Sequence, residues 1–266
     1  MIVTVRASSW GSLFDCAHRW EAEHILGMRK PGSLRAWLGT AIHHGTAVFD
    51  QAKLDNKTIT PDDACGAFVG ALHHPADEVD YQGDKTITLN SAEVIGLALT
   101  AKYCADIAPR MTYQSVEMQL NPLDIDCDDG LTIRLTGTMD RARTAQEQNG
   151  VVIADVKSGS RIIANGAVQL KGKHAQIGVY ALMYEHTTGE STAGGQIIGL
   201  QTTAKADVAM SPVFDAKRHL IGNPGEKGLI EYAAIMFKTG FFPPNPQSGL
   251  CSSKFCARWD SCAFHE

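Results

Sequence analysis

The sequence predicts a mixed α/β (α+β) fold, with a helical amino-terminal region, a mixed central sheet flanked by helices, and a cysteine-rich tail. Three observations carry this. Helical periodicity dominates roughly the first hundred residues, strand-like runs take over from Tyr113, and three of the seven cysteines crowd the last sixteen positions. At 266 residues, 44% hydrophobic and 20% charged, the chain is globular and large enough for a substantial core; disorder and fibrous structure are excluded. We expect one domain over 1–266, mainly helical at 1–110, with the sheet and its helices at 111–240 and the tail at 241–266.

In chain order, Ser9 is placed to cap a first amphipathic helix running through Trp20, and Pro31-Gly32-Ser33 interrupts it. A second helix is expected from Leu34 into the Asp50 region, a third after Pro61-Asp62-Asp63, and a fourth over 91–107. Strands at 113–120, 131–143 and 151–157 read as a meander, the last two joined by Asn149-Gly150, a pair suited to tight reversal. A helix over 166–186, strands at 196–203 and 208–214, and a helix over 225–238 complete the core. Pro243-Pro244-Asn245-Pro246 then forbids regular structure and introduces the tail.

The formal net charge of −5 argues against coating nucleic acid by bulk positive charge, but leaves room for a local basic lining. Residues 1–9 contain no apolar core of signal-peptide length, and no run approaches the roughly twenty apolar residues of a membrane span. We therefore expect a cytoplasmic protein with no membrane partner, its thiols reduced rather than paired in disulfides. Cys65, Cys104 and Cys127 are scattered and read as small apolar core residues.

The chemistry concentrates in two segments, Gly137-Thr138-Met139-Asp140 and Asp155-Val156-Lys157. Alternation places Leu131, Ile133 and Leu135 on one face of a strand and, by the same parity, Asp140 on the polar face. Asp155 and Lys157, two apart, share a face of the next strand. Taken alone, Asp-x-Lys is an ordinary surface ion pair. Two converging carboxylates with the Val156 carbonyl would nonetheless cradle a hard cation such as Mg²⁺, which polarises a phosphate and lowers the pKa of a bound water. Lys157 would orient that water or balance transition-state charge.

Other residues fit around this centre. Gly39-Thr40-Ala41-Ile42-His43-His44 offers imidazole on a helix of small residues; the two histidines point about 100° apart, and spacing alone does not choose between them. Gln176 and Tyr180, four apart, share a helical face and could hold phosphate or water. Arg161, Lys171 and Lys173 flank the centre in sequence and are candidates for contact with DNA. Cys251-x4-Cys256-x5-Cys262 supplies three thiolates and Cys16 is the natural fourth; zinc ribbons pair cysteines at shorter spacing, which favours an iron–sulfur cluster over zinc.

The ordered set Gly39-x3-His43, Gly137-x2-Asp140, Asp155-x-Lys157 and Gln176-x3-Tyr180, with one early cysteine and three late ones, resembles the PD-(D/E)XK nuclease superfamily. Within it the chain is most similar to the RecB-like branch that includes AddB nuclease domains and CRISPR-associated RecB-like exonucleases. The resemblance implies a restriction-endonuclease-like core and a Mg²⁺- or Mn²⁺-dependent DNA exonuclease. His43, Asp140, Asp155 and the Val156 carbonyl would bind the metal. Asp140, Asp155 and Lys157 would be catalytic, and Gln176 and Tyr180 would organise substrate. It further implies a 4Fe-4S cluster on Cys16, Cys251, Cys256 and Cys262, with zinc as the alternative. The acidic residue before the lysine is aspartate, a choice the branch tolerates. A free-standing nuclease of this length is similar to those of phages and prophages. That implies DNA with free ends or single strands as substrate, and a single-strand annealing protein or recombinase as partner, in recombination or repair. Two rivals follow from other classes: a DNA-end-binding adaptor that keeps the fold with little catalysis, and a zinc-stabilised α/β protein unrelated to nucleic acid.

Overall fold

A computed structural model describes residues 1–265; Glu266, the final residue of the expected tail, lies outside the described residues. The chain opens with strand β1 (Ile2–Arg6), then helices α1 (Trp10–Asp15) and α2 (Ala17–His24). Three longer helices follow: α3 (Leu34–Leu54), α4 (Pro61–His73) and α5 (Leu89–Lys102). Their starts are written in the sequence. Ser33 accepts the Ala36 amide, and Thr60 with Asp63 and Thr88 with Ser91 form reciprocal capping boxes; each such cap stabilises its helix by about 1 kcal/mol.

Strands β2 (Thr112–Gln119), β3 (Leu123–Asp126), β4 (Thr132–Thr136), β5 (Thr138–Ala145) and β6 (Gly150–Ser158) come next. Helix α6 (His174–Thr188) leads to strands β7 (Thr192–Leu200) and β8 (Val208–Met210), the short helix α7 (Arg218–Ile221) and α8 (Leu229–Thr239). The central sheet has five strands in the order β8-β7-β6-β5-β2, and a three-stranded sheet runs β1-β4-β3. β6 and β7 are parallel, with α6 as their crossover; the other neighbours in the central sheet are antiparallel. The mixed sheet flanked by helices is the expected α/β (α+β) architecture.

β6 explains why the sheet needs cover on both faces: Val151 to Val156 are all buried. On one face Ile153 and Ile197 pack with Trp10, Trp20, Ile177 and Tyr180 from α1, α2 and α6. On the other, Ala154, Val156 and Ile198 pack with Leu38, Ile42, Phe68 and Leu99 from α3, α4 and α5. Helix α3 thus lies across one face of the strand that carries Asp155, and α6 across the other.

Four expectations need correction. Residues 131–143 do not form one strand: the chain breaks at Gly137, β4 joining the small sheet and β5 the central one. A Cβ at Gly137 would stand 2.9 Å from Tyr180 Cε1 and 3.2 Å from Ala7 Cβ, so only glycine lets the chain pass between them. Ser9 makes no side-chain cap, and the first helix divides at Cys16, whose backbone is extended. The helix expected over 166–186 starts only at His174, because Ile163–Ala164 and Ala167–Val168 pair as a small hairpin turning at Asn165 and Gly166, both with positive φ. Finally, the helical amino-terminal region begins with a strand: β1 pairs in parallel with β4, a partner 130 positions away that local pattern does not reveal.

Candidate active site

The site forms where α3 crosses the ends of β5 and β6. Helix α3 can lie this close because Gly39 has no side chain; a Cβ there would be 2.5 Å from Ser158 Oγ. The same approach carries His43, one turn on, to the sheet, with its Nδ1 3.5 Å from Asp140 Oδ2. Asp140 Oδ2 also accepts the Val156 backbone N–H at 2.8 Å, which ties β5 to β6 at the point where Asp155 and Lys157 emerge. Burial lowers the His43 pKa against the pull of Asp140 and of a hydrogen bond to the Val156 backbone, and so favours the neutral imidazole that ligates metals.

A residue absent from the sequence reading joins them. Glu117 of β2, flanked by the paired positions Val116–Arg141 and Met118–Met139, stands opposite Asp140. Ligand atoms of His43, Glu117 and Asp140 all lie within 4.8 Å of one another. The Glu117 carboxyl is pushed up by burial and by the Asp140 charge, with Arg141 acting in the opposite direction. One imidazole and crowded carboxylates form a donor set suited to a hard divalent cation, whose charge would relieve that repulsion.

Asp155 is almost fully buried, 1% exposed, and faces the other way, toward α6. Its Oδ1 accepts from Gln176 Nε2 at 3.3 Å, and the same amide donates to the Tyr180 hydroxyl at 3.2 Å. Lys157 Nζ stands 2.6 Å from Asp155 Oδ2. The two form a close ion pair, and a carboxylate oxygen so engaged still has a lone pair for another partner. Burial raises the Asp155 pKa and Lys157 opposes the rise. For Lys157, burial works against the charge, but Asp155 and Asp140 outweigh it and the lysine stays an ammonium ion.

Above these groups opens a cleft of about 590 Å³, lined by Arg35, Gly39, Thr40, His43, His44, Glu117, Lys157 and Ser158 among others. The chain that supplies this cleft is matched from residue 7 to residue 263 by the family model of the PD-(D/E)XK nuclease superfamily. The chain belongs to the PD-(D/E)XK nuclease superfamily. No curated protein matches it. Membership supports a hydrolytic, metal-dependent nuclease with DNA as its substrate class, and the central mixed sheet between helices is consistent with the PD-(D/E)XK core.

The other sequence candidates fall in different places around this nuclease centre. His44 is exposed on the cleft wall, while His43 turns inward to Asp140. Lys173, at the start of α6, is partly buried; burial lowers its pKa first and the nearby Lys157 charge second, with Asp155 opposing, so it stands beside the Asp155–Lys157 pair. Arg161 and Lys171 are exposed in turns and do not line the cleft. Arg35 does line it, although it is also paired with Asp84 at 2.7 Å. Nothing in the local sequence marks Glu117, since its role depends on strand register and on a left-handed backbone, φ +46°.

All four sequence-selected cysteines line one cavity, where the tail meets α1 and α2. Asn245 donates its backbone N–H to Cys16 Sγ at 3.4 Å and its side-chain amide to the Asp15 carbonyl at 2.8 Å. Arg258 bridges back to Glu21 at 2.6 Å. Burial and the other three thiols raise the Cys251 pKa, while Arg19 opposes. A thiol cavity with backbone N–H and arginine around it suits bound thiolates. Cys65, Cys104 and Cys127 lie elsewhere; Cys104 is a buried core residue as expected, whereas Cys65 and Cys127 are only partly buried. Among the described residues, no helix is long and apolar enough to cross a membrane.

Proposed function

We propose that this nuclease is a Mg²⁺- or Mn²⁺-dependent DNA exonuclease of RecB type that processes DNA ends in recombination or repair. The observation that carries the reading is the meeting of His43, Glu117 and Asp140 at a cleft that also presents Lys157. His43, Asp140 and Glu117 would hold the cation; Asp155, which lies on the α6 side of the strand, and the Val156 carbonyl are proposed as further ligands. A bound divalent cation supplies Lewis-acid polarisation of the scissile phosphate and an activated water.

The chain's own residues do the rest. Lys157, kept charged by Asp155, presents an ammonium to the cleft, where it balances the negative charge that builds on phosphorus oxygens. Gln176 fixes Asp155 through one amide hydrogen and Tyr180 through the other, so α6 sets the aim of the carboxylate. Lys173 extends positive charge from the site toward the DNA backbone, with Arg161 and Lys171 as more distant contacts. A protein that only bound DNA ends would have no use for the His43–Asp140–Asp155–Lys157 set, which weighs against the adaptor reading.

Cys16, Cys251, Cys256 and Cys262 are proposed to hold a structural 4Fe-4S cluster. All four line the one cavity where the tail meets α1 and α2, and zinc on the same thiolates is the alternative. The reading extends to a cytoplasmic, phage- or bacterium-encoded protein working beside a strand-annealing protein or recombinase.

The test is an anaerobic preparation incubated with end-labelled single- and double-stranded DNA, with and without Mn²⁺. We expect Mn²⁺-dependent release of label from ends, and a loss of about 10²–10³-fold in rate for Lys157→Ala without loss of folding. Tight DNA binding with no metal-dependent cleavage by the parent would establish the adaptor instead.

A further inference from the structure

Behind the metal site lies a buried charged strut that the mechanism above does not use. Asp50 sits on α3 seven residues after His43, hence on the same face of the helix. Its Oδ2 accepts from Tyr103 Oη at 2.6 Å and from Arg141 Nε at 2.6 Å, and its Oδ1 accepts from Tyr113 Oη at 2.6 Å. Asp50 and Arg141 are both 0% exposed. Arg141 Nη1 then reaches past Asp50 in two directions, to Glu117 Oε1 at 2.8 Å and to the Asp140 backbone carbonyl at 2.8 Å.

Stability alone gives little reason for such an arrangement, because an apolar pair of equal volume generally stabilises a core as well as a buried ion pair does. Geometry gives a better one. Glu117 is held at φ +46°, a left-handed conformation that costs a non-glycine residue of order 1–3 kcal/mol unless its surroundings impose it. The guanidinium fork is the group that holds the Glu117 head, and Asp50 is the group that orients the fork. We propose that Asp50 is a positioning residue: through Arg141 it aims Glu117 at the cation, so that α3 contributes both a ligand, His43, and the anchor for the ligand opposite it. This rests on reading His43, Glu117 and Asp140 as a divalent-cation site.

The experiment is titration of Mn²⁺ into DNA-free protein, followed by calorimetry and by the free-ion electron paramagnetic resonance signal, with folding checked by near-ultraviolet circular dichroism. Outer-shell partners of metal ligands are typically worth 10–100-fold in affinity, and D50N is expected to weaken Mn²⁺ binding by about that factor. R141K, which cannot span Asp50 and Glu117 together, should do the same. If Asp50 acts through Glu117, the D50N/E117Q double variant binds no more weakly than E117Q alone. A folded D50N that binds Mn²⁺ like the parent, or a double variant showing the product of both losses, overturns the proposal. Should D50N not fold, the same comparison is made with R141K and R141K/E117Q. A parent that takes up no Mn²⁺ overturns the metal site itself and the strut with it, whereas normal binding by both parent and D50N overturns the strut alone.

Discussion

The two candidate centres of this molecule are built in opposite ways. The carboxylate site is assembled from neighbours on a sheet, with Asp140 on β5 and Asp155 on β6 tied by the Val156 amide, and with buried groups fixing each carboxylate from behind. The cysteine cavity joins the junction of α1 and α2 to a tail with almost no regular structure; beyond α8 the only helical element among the described residues is the turn Trp259–Ser261. The first centre exists before any ligand arrives, because strand pairing and helix packing already hold it. The second is held by dispersed contacts, among them Asn245 to Asp15 and Cys16, Ser248 to Asp15, Arg258 to Glu21 and Phe242 against Trp20, and a bound metal group would be its strongest bond.

That contrast can be broken by removing metal from each centre in turn. Cys251→Ser is expected to produce the largest structural effect. Structural metal sites contribute on the order of 10 kcal/mol to the folded state of small metal-dependent units, and losing one ligand should free the tail from α1 and α2. Limited proteolysis would then cut after residue 240 while the core survives, and the charge-transfer absorbance of an iron–sulfur protein would vanish. Chelation of the divalent ion with EDTA should do the reverse, abolishing cleavage with no new proteolytic site. Equal proteolytic resistance in Cys251→Ser and parent would show that the dispersed contacts suffice and that the two centres are built alike.

Much of this division was legible in the sequence. The periodic segments gave most of the helices and strands, whereas Ser9, the one cap read from the sequence, makes no capping bond, and the caps at Ser33, Thr60 and Thr88 emerge only from the structure. The spacings at Gly39, Gly137 and Asp155 drew attention to residues that the structure brings to one region, and the structure supplies reasons for both glycines: Ser158 packs at one and Tyr180 at the other. Long-range pairing was not legible. The partner of β1 is β4, and Glu117 faces Asp140 only because β2 and β5 align in one register. Asp50 and Arg141 likewise look like ordinary surface charges until α3, β2 and β5 are stacked around them. Local sequence reports local conformation, and these residues acquire their roles from neighbours that are distant in the chain.

A smaller change should sharpen how rigid the first centre is. In Gly137→Ala the new methyl would meet the Tyr180 ring at 2.9 Å, with Ala7 blocking the other side. Overpacking of this kind typically costs about 1–3 kcal/mol, so a drop in melting temperature of several degrees is expected. Because Tyr180 shares the Gln176 amide with Asp155, displacement of the ring should also lower the cleavage rate. Loss of stability with an unchanged rate would mean that Asp155 keeps its aim without α6.

The smallest effect should come at the rim, where electrostatics rather than packing operates. Lys173 lies close enough to Lys157 for the two charges to interact, yet it holds only the Lys171 carbonyl, at 3.3 Å. No carboxylate pairs with it in a salt bridge among the described residues, so its ammonium is available to a phosphate. One phosphate contact removed changes the slope of log K against log salt by about 0.7–0.9, and weakens binding similarly for all sequences. Lys173→Ala should therefore lower DNA affinity several-fold at low salt, with a shallower salt dependence and no change in Mn²⁺ affinity, read by fluorescence anisotropy of labelled strands in Ca²⁺. Arg161→Ala, on an exposed turn away from the cleft, serves as the comparison: if it changes the slope as much as Lys173→Ala does, DNA leaves the cleft along the Arg161 turn rather than past the start of α6.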